Sequence, residues 1–369
     1  MRSEVHFSQA GATAAAAPPR PDPRRGRGTY ERGRRRAARW QLKHRVLSLA
    51  AFVIPLLPLR LAGALGAALG AAFGAIAIPV RRTVARHLEM ALGAETTAAE
   101  RRRIALRYFR HSGRSIFEGL VSVRLGRRRA LAAITEVVGE EHAAAALARG
   151  RGVIGVSLHL GLWELAAAWS MSWARGSGRV IGARMRPEPL DRMVRGMRRR
   201  LGVEMVHPKN VRELLRVLRA GGVVGVLVDQ DSNKQAGVFL PFFGRPAFTL
   251  TGPATLAQRS GAAIVPVACV RTGPRSHRIW ILPELEVDRS LPAEEWIVEM
   301  TRCISAAYET YIRAHPEQWQ WVHRRWDTTP EVLERRRRRR ARTQVRRMLA
   351  RPGAGGAPGD PRRKDEDGR

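Results

Sequence analysis

From Gly152 onward, four short, β-branched and nearly uncharged runs recur: "GVIGVSL", "GRVIGAR", "VVGVLVD" and "AAIVPVACV". Apolar runs of this length, without polar alternation, suit strands buried on both faces, as a largely parallel sheet requires. Helical spacings separate them at 161–173, 189–201, 211–219 and 252–258, and a closing helix is expected at about 292–314. Strand and helix alternating in this way predict an α/β fold: a mostly parallel central sheet flanked by helices. Residues 83–150, which precede the runs, read as mostly helical, with apolar residues three and four apart.

The 369 residues are 44% hydrophobic, enough for a sizeable core. Their net charge of +34 is spread unevenly, with +8 in residues 1–44, +8 in residues 331–369 and +18 between them. A basic core of this kind favours anionic partners: phospholipid head groups, an acidic carrier protein or nucleic acid. Residues 1–44 are rich in Pro, Gly and Arg and are expected to be a disordered tail. The Arg-rich segment 331–369 is expected to be mostly disordered too, with room for a basic surface helix over 332–349. Neither tail carries recognisable chemistry. Cys269 and Cys303 have no ligand-like or disulfide-like spacing, and the N-terminus lacks the compact apolar core of a secretory signal.

Between them, residues 45–82 read as a hydrophobic membrane anchor ahead of a catalytic domain at 83–330. The uncharged stretch 61–80 is long enough to cross a bilayer, and Gly66, Gly70 and Gly74 repeat at the spacing that permits close helix contact in lipid. Basic residues flank both ends, so an in-plane anchor fits as well as a crossing, and a soluble Ala-rich core helix remains the alternative.

Chemistry concentrates where strands end and helices begin. His159 closes the first run, and Glu164 lies five residues on. On one continuous helix the two would stand about 140° apart. With a bend at Gly161, the Glu164 carboxylate is expected to meet the imidazole, fix its tautomer and leave the other nitrogen as a general base. Asp229 and Asp231 follow another strand. A metal site there lacks an identifiable third ligand, so structural or substrate-orienting hydrogen bonds are expected instead. Arg184 and Arg186 follow a third strand and suit phosphate recognition, whereas Arg195, Arg198, Arg199 and Arg200 read as a basic helix face. In "GVFLPFFGRPAFT", Phe239, Phe242, Phe243 and Phe248 either line an apolar groove or pack in the core, with Gly237 and Gly244 allowing tight turns. Trp319, Trp321 and Trp326 suit either a membrane interface or a cap on the sheet.

Three ordered blocks then carry a resemblance. "HLGLWE" (159–164) resembles the H-x4-D/E signature of glycerolipid and lipid A acyltransferases. "DQDSNKQAGVFLPFFGRPAFTLTGPATLAQRSGAAIVPV" (229–267) and "HPEQWQWVHRRW" (315–326) are similar to later blocks of the bacterial lipid A late acyltransferases. The likeness covers roughly 45–330, and it departs at Leu162, where the family commonly has Asn.

It implies transfer of a fatty acyl chain from acyl carrier protein or coenzyme A, as co-substrate, to a hydroxyl of a membrane glycolipid, with no resident cofactor or metal. It implies His159 and Glu164 as catalytic residues, with Arg186, Asp229, Asp231, Gly237, Phe239, Phe243 and Thr249 as substrate-binding ones. The expected location is the cytoplasmic face of a bacterial inner membrane. The acceptor is a lipid A precursor or, as the alternative, a phosphatidylinositol mannoside or lysophospholipid. A nucleic-acid-binding protein acting through its basic tails is the competing reading from another class.

Overall fold

The computed structural model describes Leu49 and residues 52–174, 177–185, 188–232 and 235–349. Met1–Val53 forms a unit apart from Ile54–Arg369; its described residues, Leu49, Phe52 and Val53, are helical. The tail segments 1–44 and 350–369, and Arg186, lie outside the described residues.

Three helices lead the larger unit: α1 (Leu59–Ile76), α2 (Ile78–Leu92) and α3 (Ala98–Leu131). Among the described residues, α1 is the one helix long and apolar enough to cross a membrane. Its glycines face α3, where a Cβ at Gly66 or Gly70 would collide with the backbone carbonyls of Gly113 and Phe109. The four-residue glycine spacing therefore serves a helix contact inside the protein. The opposite face, with Leu61, Leu65, Leu69, Phe73 and Ile76, is exposed. Thr97 and Glu100 start α3 with a reciprocal cap: the Thr97 N–H donates to the carboxylate at 2.7 Å and the Glu100 N–H to the hydroxyl at 3.2 Å.

There follow β1 (Ile134–Val138), α4 (Glu140–Ala148), β2 (Val153–Ser157), α5 (Trp163–Trp173), β3 (Gly178–Ile181), α6 (Glu188–Arg200), β4 (Met205–Val206), α7 (Val211–Arg219) and β5 (Val223–Leu227). A hairpin of β6 (Gly237–Phe242) and β7 (Arg245–Leu250) precedes α8 (Gly252–Ser260), β8 (Ala263–Arg271), β9 (His277–Ile281), α9 (Ala293–Ala314) and α10 (Pro330–Leu349). The last of these occupies the stretch left open for a basic surface helix.

The sheet runs β1-β9-β8-β2-β5-β3-β4, and its one antiparallel pair is β8 with β9. The four apolar runs form β2, β3, β5 and β8, as the alternation predicts. β1 corrects the helical reading of 83–150, and β9 and the hairpin are additions. β9 alternates buried His277, Ile279 and Ile281 with half-buried Arg278 and Trp280, so it lacks the uninterrupted apolar texture of a central strand.

Side-chain parity divides the core into two layers. Ile154, Val156 and Val224 point toward α7, α8 and α9, where Leu214, Leu256, Ile304 and Tyr308 pack. Val153, Val223 and Val265 point the other way, onto Leu165, Ala168 and Met171 of α5. His159 and Asp229 share the parity of this second set, which directs the ends of β2 and β5 toward the α5 layer.

Candidate active site

β2 and β5 are parallel, with Val153 opposite Val223, Gly155 opposite Gly225 and Ser157 opposite Leu227, a constant offset of 70 residues. Carried two residues past the strand ends, the same offset sets His159 beside Asp229. The Nδ1 of His159 lies 2.8 Å from Oδ1 of Asp229, and the His159 backbone N–H donates to Oδ2 at 2.8 Å. Trp319 adds a third donor, its Nε1–H reaching Oδ2 at 2.8 Å. Burial by itself would raise the Asp229 carboxyl, but the His159 imidazole, its backbone N–H and His323 outweigh it and hold the group well below the usual carboxylate range. An ionised carboxylate only accepts hydrogen bonds, so Nδ1 of His159 carries a proton, and in the neutral ring the lone pair is on Nε2.

The expected pairing of His159 with Glu164 is thereby corrected. Gly161 does bend the chain, at φ 58°, in a spot where a Cβ would collide with the Cys269 carbonyl. The bend starts α5 at Trp163, however, and turns Glu164 toward α6. Its carboxylate accepts from Arg198 Nε at 3.0 Å and Nη2 at 2.7 Å, a two-pronged ion pair. Arg198, expected on a solvated basic face, is thus mostly buried against the site.

Around the imidazole stand Trp163, edge-on with ring centroids 5.0 Å apart, and His323, at 4.8 Å. The Gln230 amide nitrogen lies 3.1 Å from Nε2 of His159 and 3.0 Å from Nε2 of His323. Burial, and then the neighbouring His159, push His323 down to about 4, so it is neutral at physiological pH.

The remaining expected residues hold this centre together. Asp231 accepts from the N–H and hydroxyl of Thr328 at 2.7 and 2.6 Å, tying the chain after β5 to the C-terminal block. Thr249 is buried and accepts from Arg325 at 2.7 Å. Arg325, itself 2% exposed, also donates to the Phe248 carbonyl at 2.6 Å, and burial lowers its pKa to about 10. Gly237 opens β6 where a side chain would press into the Phe248 ring. Phe239 is partly exposed and edge-on to Phe248.

Phe243 sits with Gly244 at the hairpin tip, both at positive φ as a two-residue turn demands. It is buried, donates its N–H to Glu309 at 2.8 Å and lies under Arg313, so it packs in the core. Trp319 and Trp321 are fully buried and Trp326 nearly so, which makes this block a cap over the sheet ends and excludes the interface reading for those rings. Among the described residues no three His, Cys, Asp or Glu side chains converge as a metal site.

Two openings are lined by neighbours of the imidazole, one by Trp163 and the other by Gln230 and His323. On the α5 side an apolar cavity is lined by Gly155, Ser157, Gly225 and Met171, with Trp163 and the Glu164–Arg198 pair along its wall. An open polar cleft is lined by Gln230, Asp231, His323, Arg324 and Thr328. Sequence reasoning missed Gln230, His323 and the role of Trp319. The signal for the Asp229 partnership was present, because "VIGVSLH" and "VVGVLVD" align residue for residue and end on the paired groups.

A family profile described as "Bacterial lipid A biosynthesis acyltransferase" matches residues 39–328. The chain is 31% identical to the lipid A biosynthesis lauroyltransferase of Escherichia coli over 69% of its own length and 81% of that relative's. It is 31% identical to the lipid A biosynthesis palmitoleoyltransferase of the same organism, over 53% of this chain and 62% of the relative. It is also 29% identical to the phosphatidylinositol mannoside acyltransferase of Mycobacterium tuberculosis, over 51% of this chain and 58% of the relative.

Nitrogen-resolved spectra of the histidine rings test the geometry directly. In its neutral form His159 should appear as the Nδ1–H tautomer. Asp229→Asn should shift it toward Nε2–H, and Glu164→Gln should leave it unchanged. The opposite pattern would return Glu164 as the partner.

Proposed function

Because the chain belongs to the bacterial lipid A biosynthesis acyltransferase family, we propose that it moves a fatty acyl chain from a thioester to a hydroxyl of a lipid A precursor, with His159 as general base. The observation that carries this reading is the His159–Asp229 contact, which ties up Nδ1 and leaves Nε2 facing Gln230, a residue of the polar cleft. Nε2 takes the acceptor's hydroxyl proton as the oxygen attacks the thioester carbonyl. Asp229 stabilises the imidazolium that forms. The tetrahedral oxyanion collapses, the C–S bond breaks, and the departing thiolate takes the proton back from the imidazolium.

The apolar cavity, about 50 Å³, suits the first carbons of the acyl chain. Gly155 and Gly225, side by side on adjacent strands, leave its floor open, and nothing lies within 4 Å of where a Gly155 side chain would begin. The polar cleft suits the sugar and phosphate groups of the acceptor, with Arg324 on its rim. Acyl carrier protein is the proposed donor, since its acidic surface complements the +18 between the tails. The mycobacterial relatives support a phosphatidylinositol mannoside as the second candidate acceptor.

For α1 we propose an in-plane seat on the inner membrane's cytoplasmic surface. Its exposed Leu61, Leu65, Leu69 and Phe73 form an apolar stripe, while the α3 helix packed behind it carries exposed Arg107 and Arg110. A crossing α1 would draw those arginines toward hydrocarbon, at about 2.5–3.5 kcal/mol for each one centred there. An in-plane α1 leaves them among anionic head groups.

Mass spectrometry of glycolipids incubated with the purified protein and acyl carrier protein thioesters of graded chain length tests the reaction. The wild-type protein should add one acyl group to a lipid A precursor, His159→Ala should add none, and Gly155→Leu should shift use toward shorter chains. Undiminished transfer by His159→Ala contradicts the assigned base, and modification of the mannoside alone selects the second acceptor. In flotation with anionic vesicles, Leu65→Ser with Leu69→Ser should weaken binding. Vesicle binding unchanged by that pair contradicts the in-plane seat.

A further inference from the structure

The amide of Gln230 lies within hydrogen-bond distance of two imidazole nitrogens at once, 3.1 Å from His159 and 3.0 Å from His323. Asp229 holds a proton of His159 on Nδ1, so in the neutral ring that acts as the base Nε2 accepts. His323 is kept neutral by its surroundings, and because the amide nitrogen that faces its Nε2 at 3.0 Å only donates, that Nε2 is the unprotonated one and accepts as well. Two acceptors require the NH2 end of the amide to point at them, one hydrogen each; the carbonyl end would meet lone pairs on both sides. The side chain is exposed toward the polar cleft, so this arrangement stands in the path of an incoming hydroxyl.

Resting on the acyl-transfer reading above, we propose that Gln230 is a further catalytic residue that donates to the oxyanion, and that His323 is the positioning residue that aims it. An acceptor hydroxyl bound at His159 Nε2 displaces one amide hydrogen. The other stays on His323, which keeps the amide from rotating away. The freed N–H then lies within about 3 Å of the oxygen bound to the base, the range in which it meets the thioester oxygen as negative charge builds there. The donor is neutral and already oriented, so it adds no charge to the ground state and favours the tetrahedral species selectively. No bond to Gln230 or His323 forms or breaks; both return to the resting contact when the product ester leaves.

Steady-state kinetics with separate variation of donor and acceptor tests this. Gln230→Ala and the near-isosteric Gln230→Glu, which lacks the N–H, should each lose on the order of 100- to 1000-fold in kcat, with little change in either KM. His323→Leu should lose up to about 100-fold in kcat by releasing the amide. His323→Gln, which offers a carbonyl oxygen as acceptor, should recover part of it. Thermal melts and the His159 tautomer separate a folded variant from a collapsed site. A Gln230→Ala protein that keeps its kcat, or whose acceptor KM alone rises, overturns the proposal. Equal losses in His323→Leu and His323→Gln overturn the positioning role. Wild-type protein that transfers no acyl group in the same assay instead removes the reading on which the proposal rests.

Discussion

One buried carboxylate, accepting three N–H groups, organises the chemical end of this molecule. Asp229 receives the side chain and backbone of His159 and the indole of Trp319, so it joins β5, the end of β2 and the C-terminal block at a single point. An ionised group so deeply buried is tolerable because its acceptor sites are filled by well-placed donors. The same bonds that make the burial tolerable fix the imidazole's tautomer, so stability and reactivity have a common origin here.

The sheet supplies the alignment. Parallel strands in register carry residues of equal offset to the same height, and the 70-residue offset between β2 and β5 delivers imidazole and carboxylate together. The tryptophan cap then encloses the carboxylate and leaves Nε2 to the Gln230 amide at the cleft. Phe242 packs on Trp319 and Trp326, and Arg325 bonds the Phe248 carbonyl and the Thr249 hydroxyl, so the hairpin braces the cap from behind. Of the residues expected to touch substrate in that hairpin, Thr249 belongs to this bracing and Phe243 packs in the core.

Much of the fold was legible because β2, β3, β5 and β8 lie inside the sheet and show uninterrupted apolar runs. β1 and β9 escaped notice because each mixes more and less buried side chains and carries a charged one, Glu136 or Arg278, so neither shows an uninterrupted apolar run. His159, the proposed base, drew attention by its place at a strand end. Its partner could not be found in a local window, since Glu164 is near in sequence and Asp229 is near only through strand register. The glycine stripe of α1 announced a close helix contact correctly but said nothing of which helix it meets. In the C-terminal block, aromatic and basic residues fit a membrane surface and a buried cap equally well until burial is known.

The account stands on the Asp229 carboxylate being the group that makes His159 a base. The most direct measurement is the single-turnover rate of acyl transfer by Asp229→Asn, a change that keeps the shape but removes the charge and offers the imidazole a donor in place of an acceptor. The account predicts a loss on the order of 10,000-fold at neutral pH with the protein still folded. A folded Asp229→Asn protein turning over at close to the wild-type rate would contradict it.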